Sequence, residues 1–136
     1  MATLLTIGDA AKASGLTAKM IRHYEQSGLL QKPTRTDAGY RLYNSQQVQQ
    51  LSFIHQARQL GFSLSEIQSL LQLWHNPQRE SRAVKQLAEQ HLADIARKIA
   101  ELQHMQQQLQ QLADSCRADS SPHCAILSAL APQADD

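Results

Sequence analysis

The sequence predicts a mainly α-helical chain, with a small N-terminal head that includes one β-hairpin, a single long helix after it, and a polar loop followed by a short helix. Three observations carry this prediction. The first half alternates short stretches of helical apolar spacing with Gly-containing breaks. From about Ser81 to about Ala113 there is neither Gly nor Pro, and apolar residues recur in steps of four and three. Both cysteines, Cys116 and Cys124, then fall within one polar stretch from Ser115 to Cys124.

A length of 136 residues accommodates one ordinary domain, or a small head plus an extended element, and not a large enzyme cavity with a separate lid. No segment reaches the roughly 20 apolar residues of a membrane span, and the start Met1-Ala2-Thr3-Leu4-Leu5-Thr6 lacks the regions of a secretory signal. The expectation is a cytoplasmic protein with no membrane partner. In a reducing compartment a cysteine pair is more often a metal site or a redox sensor than a structural staple. Charge is distributed unevenly: ahead of Phe62 seven Lys/Arg face three Asp/Glu, a net +4, whereas the remainder carries six against nine, a net −3. A polyanion should therefore meet the N-terminal half. No Ser/His/Asp or paired-carboxylate arrangement stands out and no Cys-x-x-Cys is present, so the chain reads as a non-enzyme.

Element by element, Thr6 to Ala13 places Ile7, Ala10 and Ala11 at helical spacing until Ser14-Gly15-Leu16 breaks it. Thr17 can cap a second helix, in which Met20, Ile21 and Tyr24 form an apolar stripe up to Ser27-Gly28. Two short helices joined by a Gly-containing turn suggest a helix-turn-helix, whose second helix enters the major groove of DNA. Thr17, Lys19, Arg22 and His23 then stand where base and phosphate contacts are made, and Tyr24 is counted with them. A helical hairpin with a solvated basic face is the alternative. Pro33 prevents helix continuation, and Thr34 to Tyr43 reads as a hairpin around Asp37-Ala38-Gly39, a wing. Arg35, Tyr40, Arg41 and Tyr43 on it are donors of the kind that grip phosphates, with the tyrosines also suited to packing the hairpin on the helices. Asn44-Ser45 opens a helix to Leu60 with Val48, Leu51, Phe53, Ile54 and Ala57 on its core face, Arg58 as a further phosphate contact, and Gly61 as its stop. Ser63-Leu64-Ser65-Glu66 has the serine and glutamate of a capping box and opens another helix to Asn76-Pro77, in which Trp74 is a packing anchor between head and tail.

In the long helix Val84, Ala88, His91, Ile95, Lys98, Leu102, Met105, Leu109 and Leu112 form a coiled-coil seam, with His91 and Lys98 as register-setting or snorkelling interruptions. A rod of roughly 50 Å at 1.5 Å per residue exceeds what so small a head covers, and a second copy is the simplest partner. The chain divides on this reading into a DNA-binding head, residues 1–75, a linker and dimerisation helix, residues 76–114, and a loop, short helix and tail, residues 115–136.

With Ile7-Gly8-Asp9-Ala10-Ala11, Ile21-Arg22-His23-Tyr24-Glu25, Gly28-Leu29-Leu30 and Arg35 to Tyr43 ahead of a long helix, the sequence resembles the MerR family of transcription regulators from about Thr6 to Leu130. Its C-terminal end, two cysteines separated by seven residues and then a short apolar stretch Ala125 to Leu130, resembles the copper-responsive CueR branch. The chemistry of sulfur agrees: thiolates are soft ligands that suit Cu(I) and its heavier congeners. Two thiolates on a monovalent ion leave a net charge of about −1 that must be balanced if it is buried.

The resemblance implies a homodimer whose long helices pair antiparallel, so that Ser81 and Lys85 at the start of one helix lie beside the cysteine loop of the other subunit and Lys85 neutralises the thiolate complex. In the family's divalent-metal sensors the position of Ser81 is a cysteine; its absence favours Cu(I), with Ag(I) or Au(I) in the same site, over Zn(II), Cd(II) or Hg(II). His123 supports the second reading, a zinc or other divalent site shared with Cys116 and Cys124. A thiol redox switch and, in a different class, a copper-buffering carrier are further alternatives. The resemblance also implies a dimer on double-stranded promoter DNA, distorting it so that RNA polymerase engages.

Overall fold

Local capping chemistry decides where the helices of the N-terminal half begin. In the computed structural model of the protein, which describes residues 4–132, Thr6, Thr17, Asn44 and Ser63 cap α1 (Ile7–Ser14), α2 (Ala18–Gln26), α3 (Ser45–Gln59) and α4 (Leu64–His75). Each side-chain oxygen accepts from the amide three residues on, at 2.8 to 3.2 Å. At α3 and α4 the bond is reciprocated: Gln47 accepts from the Asn44 amide at 2.8 Å and Glu66 from the Ser63 amide at 2.9 Å. Each such cap contributes about 1 kcal/mol.

The expected hairpin is present as β2 (Thr34–Arg35) and β3 (Arg41–Tyr43), paired antiparallel with Thr34 opposite Leu42 and Arg35 opposite Arg41. A further strand, β1 (Leu5–Thr6), joins on the other side of β3, with Leu5 opposite Tyr43 and Thr6 opposite Leu42. The wing is thereby tied to the chain segment that leads into α1. Beneath the sheet and between α1, α2, α3 and α4 lies one core, in which Ala10, Ile21, Tyr24, Tyr43, Leu51, Ile54 and Ile67 are almost fully withdrawn from solvent. Phe53 and Trp74 stack face to face at its edge, 4.7 Å between ring centroids and 7° between planes.

Two residues expected to face nucleic acid are corrected here. Tyr24 is 2% exposed and Tyr43 fully buried, because the sheet and helices close over the rings. Their hydroxyls lie inside without a hydrogen-bond partner among the described residues.

The long helix α5 runs from Ser81 to Ser115, 35 residues, two residues beyond the expected end; at 1.5 Å per residue it is about 52 Å long. The chain packs as two units, one up to Leu87 and one from Ala88. In the second unit α5 leaves Leu92, Ile99, Leu102, Met105 and Leu109 exposed, and α6 (Ala125–Leu130) follows the cysteine loop. His91, expected to interrupt the apolar seam, is buried. No helix among the described residues is long and apolar enough to cross a membrane.

Candidate nucleic-acid interface and metal centre

Helix α2 presents two faces with opposite chemistry. Ile21 and Tyr24 point into the core, whereas Lys19, Arg22 and His23 are exposed and share one side of the helix by their three- and four-residue spacing. Thr17 is exposed at the start of the same helix, its hydroxyl engaged by the Met20 amide at 3.2 Å. The wing is shaped by its own turn: Thr36 donates to the Tyr40 carbonyl at 2.8 Å, Gly39 to the Thr36 carbonyl at 2.9 Å, and Tyr40 to the Thr36 hydroxyl at 3.1 Å. That turn lifts the Tyr40 ring into solvent, 72% exposed. Arg58 is exposed in the last turn of α3.

The wing arginines are not equivalent. Arg41 donates from Nε to Glu25 Oε2 at 2.7 Å, and Arg35 approaches Glu25 Oε1 at 3.9 Å while donating to the Gly39 carbonyl at 3.0 Å. The Glu25 side chain is 9% exposed, that of Arg41 22% and that of Arg35 50%. Burial raises the pKa of the neighbouring Tyr43, assisted by Glu25 and opposed by Arg41, Arg22 and Arg35. Sequence reasoning did not single out Glu25. A signal was available in its position, an acid in the last turn of α2 where the helix dipole disfavours negative charge, ahead of a hairpin bearing two arginines.

At the other end of the chain, Cys116 follows the last residue of α5 and Cys124 immediately precedes α6. The chain between them turns back through Ala118, held at φ +54°. Asp119 accepts from the Ser121 amide at 2.9 Å, and the Ser121 hydroxyl from the His123 amide at 3.1 Å. Both thiols are free, half-buried, and 3.7 Å apart between sulfurs, well beyond the roughly 2.05 Å of a disulfide. The Cys124 pKa is lowered, first by the Leu127 amide, then by the Ile126 amide and the Cys116 thiol, against a weaker opposing effect of burial. No cap hydrogen bond closes at Cys124; the amides of the first turn of α6 act on its sulfur as nearby partial positive charges.

His123 and Cys124 line one cavity of about 240 Å³ with Ser115, Arg117, Ala125 and Ser128, although adjacent residues seldom share a small site. Ser81 and Lys85 occupy the first two turns of α5 and are exposed. The donor set fits a soft cation: two thiolate–metal bonds of about 2.3 Å each reach across the 3.7 Å between the sulfurs when bent. A straight bridge needs about 4.6 Å, about 0.9 Å more than the sulfurs now stand apart.

Comparison with known proteins extends this picture. Residues 5–74 match the MerR HTH family regulatory protein family, and residues 48–112 the family described as MerR, DNA binding. The chain is 44% identical to the HTH-type transcriptional regulator CueR of Escherichia coli O157:H7 over 126 residues, 93% of each chain. It is also 44% identical to heavy metal-dependent transcription regulator 2 of Rhizobium meliloti over 127 residues, 93% of this chain and 86% of the relative. The crystal structure of the transcription regulator PbrR691 from Ralstonia metallidurans CH34, in complex with lead(II), superposes with a TM-score of 0.80 at 35% identity, covering 93% of this chain and 99% of the other. The chain belongs to the MerR family of DNA-binding transcription regulators, which are not enzymes, and to its CueR-like branch.

Proposed function

We propose that the protein is a cytoplasmic, Cu(I)-responsive transcription activator that binds promoter DNA as a homodimer and controls copper-efflux or detoxification genes. The observation that carries the reading is the pair of free thiols 3.7 Å apart in a chain with no third cysteine. Soft sulfur in so small a number suits Cu(I), and by the same chemistry Ag(I) or Au(I). The resemblance to the CueR branch supports it, as does the relative described as heavy metal-dependent.

In this reading Cys116 and Cys124 hold the ion, which supplies a soft positive charge that the two thiolates neutralise and exceed by about one unit. The amides of Ile126 and Leu127 already favour a thiolate at Cys124. Residues 76–114 pair two copies through the exposed apolar stripe that includes Leu102, Met105 and Leu109. An antiparallel arrangement brings Ser81 and Lys85 of the partner subunit to the loop, and the ammonium balances the remaining negative charge. Lys19, Arg22, His23 and the capping Thr17 face the major groove, and Arg35, Tyr40, Arg41 and Arg58 meet phosphates.

Opening the sulfurs by about 0.9 Å towards a straight bridge moves the loop and α6 and shifts the dimer towards a state that bends and untwists the operator. Bending of this kind costs on the order of 1 to 6 kcal/mol, supplied by phosphate contacts from both wings, and it lets RNA polymerase engage the promoter. The ion acts only as far as it binds the activating state more tightly. Footprinting with and without Cu(I) under reduction tests this: operator occupancy stays similar while distortion at the operator centre changes, and metal-driven release refutes it.

A second reading, a zinc or other divalent-metal sensor, is favoured by two observations. The 3.7 Å sulfur spacing already suits a bent bridge, and His123 shares the Cys124 cavity. X-ray absorption of the loaded protein separates the two: two sulfurs alone support Cu(I), and sulfur with nitrogen supports the divalent site.

A further inference from the structure

Glu25 is an acid placed where a DNA-binding surface has no evident use for one. Its carboxylate sits on α2, nearly buried, and takes a short bond from Arg41 Nε at 2.7 Å while Arg35 stands at 3.9 Å. Both arginines belong to the wing, so one side chain of the recognition helix joins two separate parts of the DNA-facing surface. Arg22, exposed on the same helix, contributes a further positive charge to the surroundings of Tyr43, alongside those of Arg35 and Arg41. Glu25 is the one negative charge that acts on Tyr43 against these three arginines among the described residues.

We propose that Glu25 is a positioning residue for DNA recognition: it neutralises Arg41, fixes the wing against α2, and leaves Arg35 as the wing arginine that meets phosphate. The proposal rests on the reading that the wing touches DNA, and refines it by removing Arg41 from the phosphate contacts. The physical reason is the contrast between the two pairs. Arg41 is the less exposed arginine and makes the charge-assisted bond within hydrogen-bonding distance, and withdrawing it would leave the Glu25 charge nearly buried and uncompensated. Arg35 is half-exposed, stands too far from Glu25 for a hydrogen bond, and spends one donor on the exposed Gly39 carbonyl at 3.0 Å, so its remaining donors can meet a phosphate at little cost. A wing held this way offers polyanions fewer free charges than its sequence contains, which limits binding to arbitrary DNA and sets one orientation of the hairpin.

The test is the salt dependence of binding to a random-sequence duplex, measured by fluorescence anisotropy on the full-length protein between about 50 and 200 mM salt, where each phosphate contact contributes about 0.9 to the slope of log K against log salt. Glu25→Gln is expected to steepen that slope by about 0.9 by releasing Arg41, so that affinity lost across the range grows about 3.5-fold. Glu25→Asp, which keeps the charge, stays close to the original slope, and Arg35→Ala makes it shallower. A merely structural role for Glu25 would lower affinity at every salt concentration with the slope unchanged, and that result overturns the proposal. If Arg35→Ala leaves the slope untouched, the wing reading itself fails and the proposal with it; if Arg35→Ala flattens the slope while Glu25→Gln does not steepen it, only the role of Glu25 fails. Should Glu25→Gln not fold, the double variant Glu25→Gln/Arg41→Gln removes both charges together: it is expected to keep the original slope, and a slope shallower by about 0.9 overturns the proposal.

Discussion

Replacing Gly15 with alanine separates two kinds of cost that the turn between α1 and α2 carries. Gly15 caps α1 at φ +82°, ψ +2°, and its amide donates to the Ala11 carbonyl at 2.9 Å. A side chain in that left-handed conformation costs roughly 1 to 2 kcal/mol. Gly28, at φ +80° after α2, carries the same cost with open space around it: a Cβ there has nothing within 4 Å. At Gly15 the Cβ would stand 3.1 Å from both Cδ2 and Nε2 of His55 on α3, so the ring must shift within a packed seam, adding about 1 kcal/mol or somewhat more. Gly15→Ala should therefore destabilise the chain by about 2 to 4 kcal/mol and Gly28→Ala by about 1 to 2 kcal/mol. Urea unfolding of metal-free protein at a fixed concentration reads the difference. His55→Ala in the Gly15→Ala background should recover about 1 kcal/mol as a coupling term and leave the backbone cost in place. Equal losses at the two glycines, or no coupling to His55, would refute the close approach as the reason for glycine at position 15.

The lowered pKa of Cys124 predicts that, in metal-free protein, its alkylation by iodoacetamide reaches half-maximal rate below the pH at which a free cysteine run in parallel does; mass spectrometry checks this, and a match to free cysteine counts against it. The sign for stability follows: a group whose folded pKa is depressed stabilises the loop above its unfolded value, and that contribution disappears as pH falls through the lowered one. Cys116→Ser and Cys124→Ser should each weaken Cu(I) affinity by more than about 100-fold, beyond the range of outer-shell changes, in chelator competition under reduction. Ala118→Val, a β-branched residue at φ +54°, should lower that affinity while Ala118→Gly does not. Tyr43→Phe removes a buried hydroxyl that has no partner; it should leave DNA affinity unchanged and stability equal or higher by about 1 kcal/mol.

What the sequence made legible is what local chemistry decides. Thr17, Asn44 and the Ser63–Glu66 pair cap their helices through bonds three residues long, so spacing alone locates them. Strand β1 left no such trace, since Leu5 and Thr6 are extended only because Tyr43 and Leu42 pair with them from across the chain. Tyr24 and Tyr43 look the same in sequence as Tyr40, yet the sheet closes over two of them and the turn at Thr36 turns the third outward. The tie between Glu25 and Arg41 spans sixteen positions and belongs to the packing of the wing on α2. On α5 Leu92 and Ile99, outside the expected set, are exposed together with the expected Leu102, Met105 and Leu109, which widens the apolar stripe beyond the four-and-three spacing read from the sequence. In the cysteine loop the sequence singled out the two thiols as candidate ligands, whereas their 3.7 Å separation and the cavity shared by His123 and Cys124 come from the turn at Ala118 and the start of α6.

The closeness of the two sulfurs bears on the economy of the proposed sensing. Where a metal must gather distant ligands, its binding free energy is spent on folding, and the signal becomes mixed with stability. Here Cys116 and Cys124 end one helix and begin the next, with the intervening ring already closed to 3.7 Å. Most of the chain entropy of ring closure has thus been given up when the protein folds. If Cys116 and Cys124 hold the ion as proposed, its capture asks the sulfurs for a displacement smaller than a bond length, and occupancy reports the free ion rather than the health of the fold.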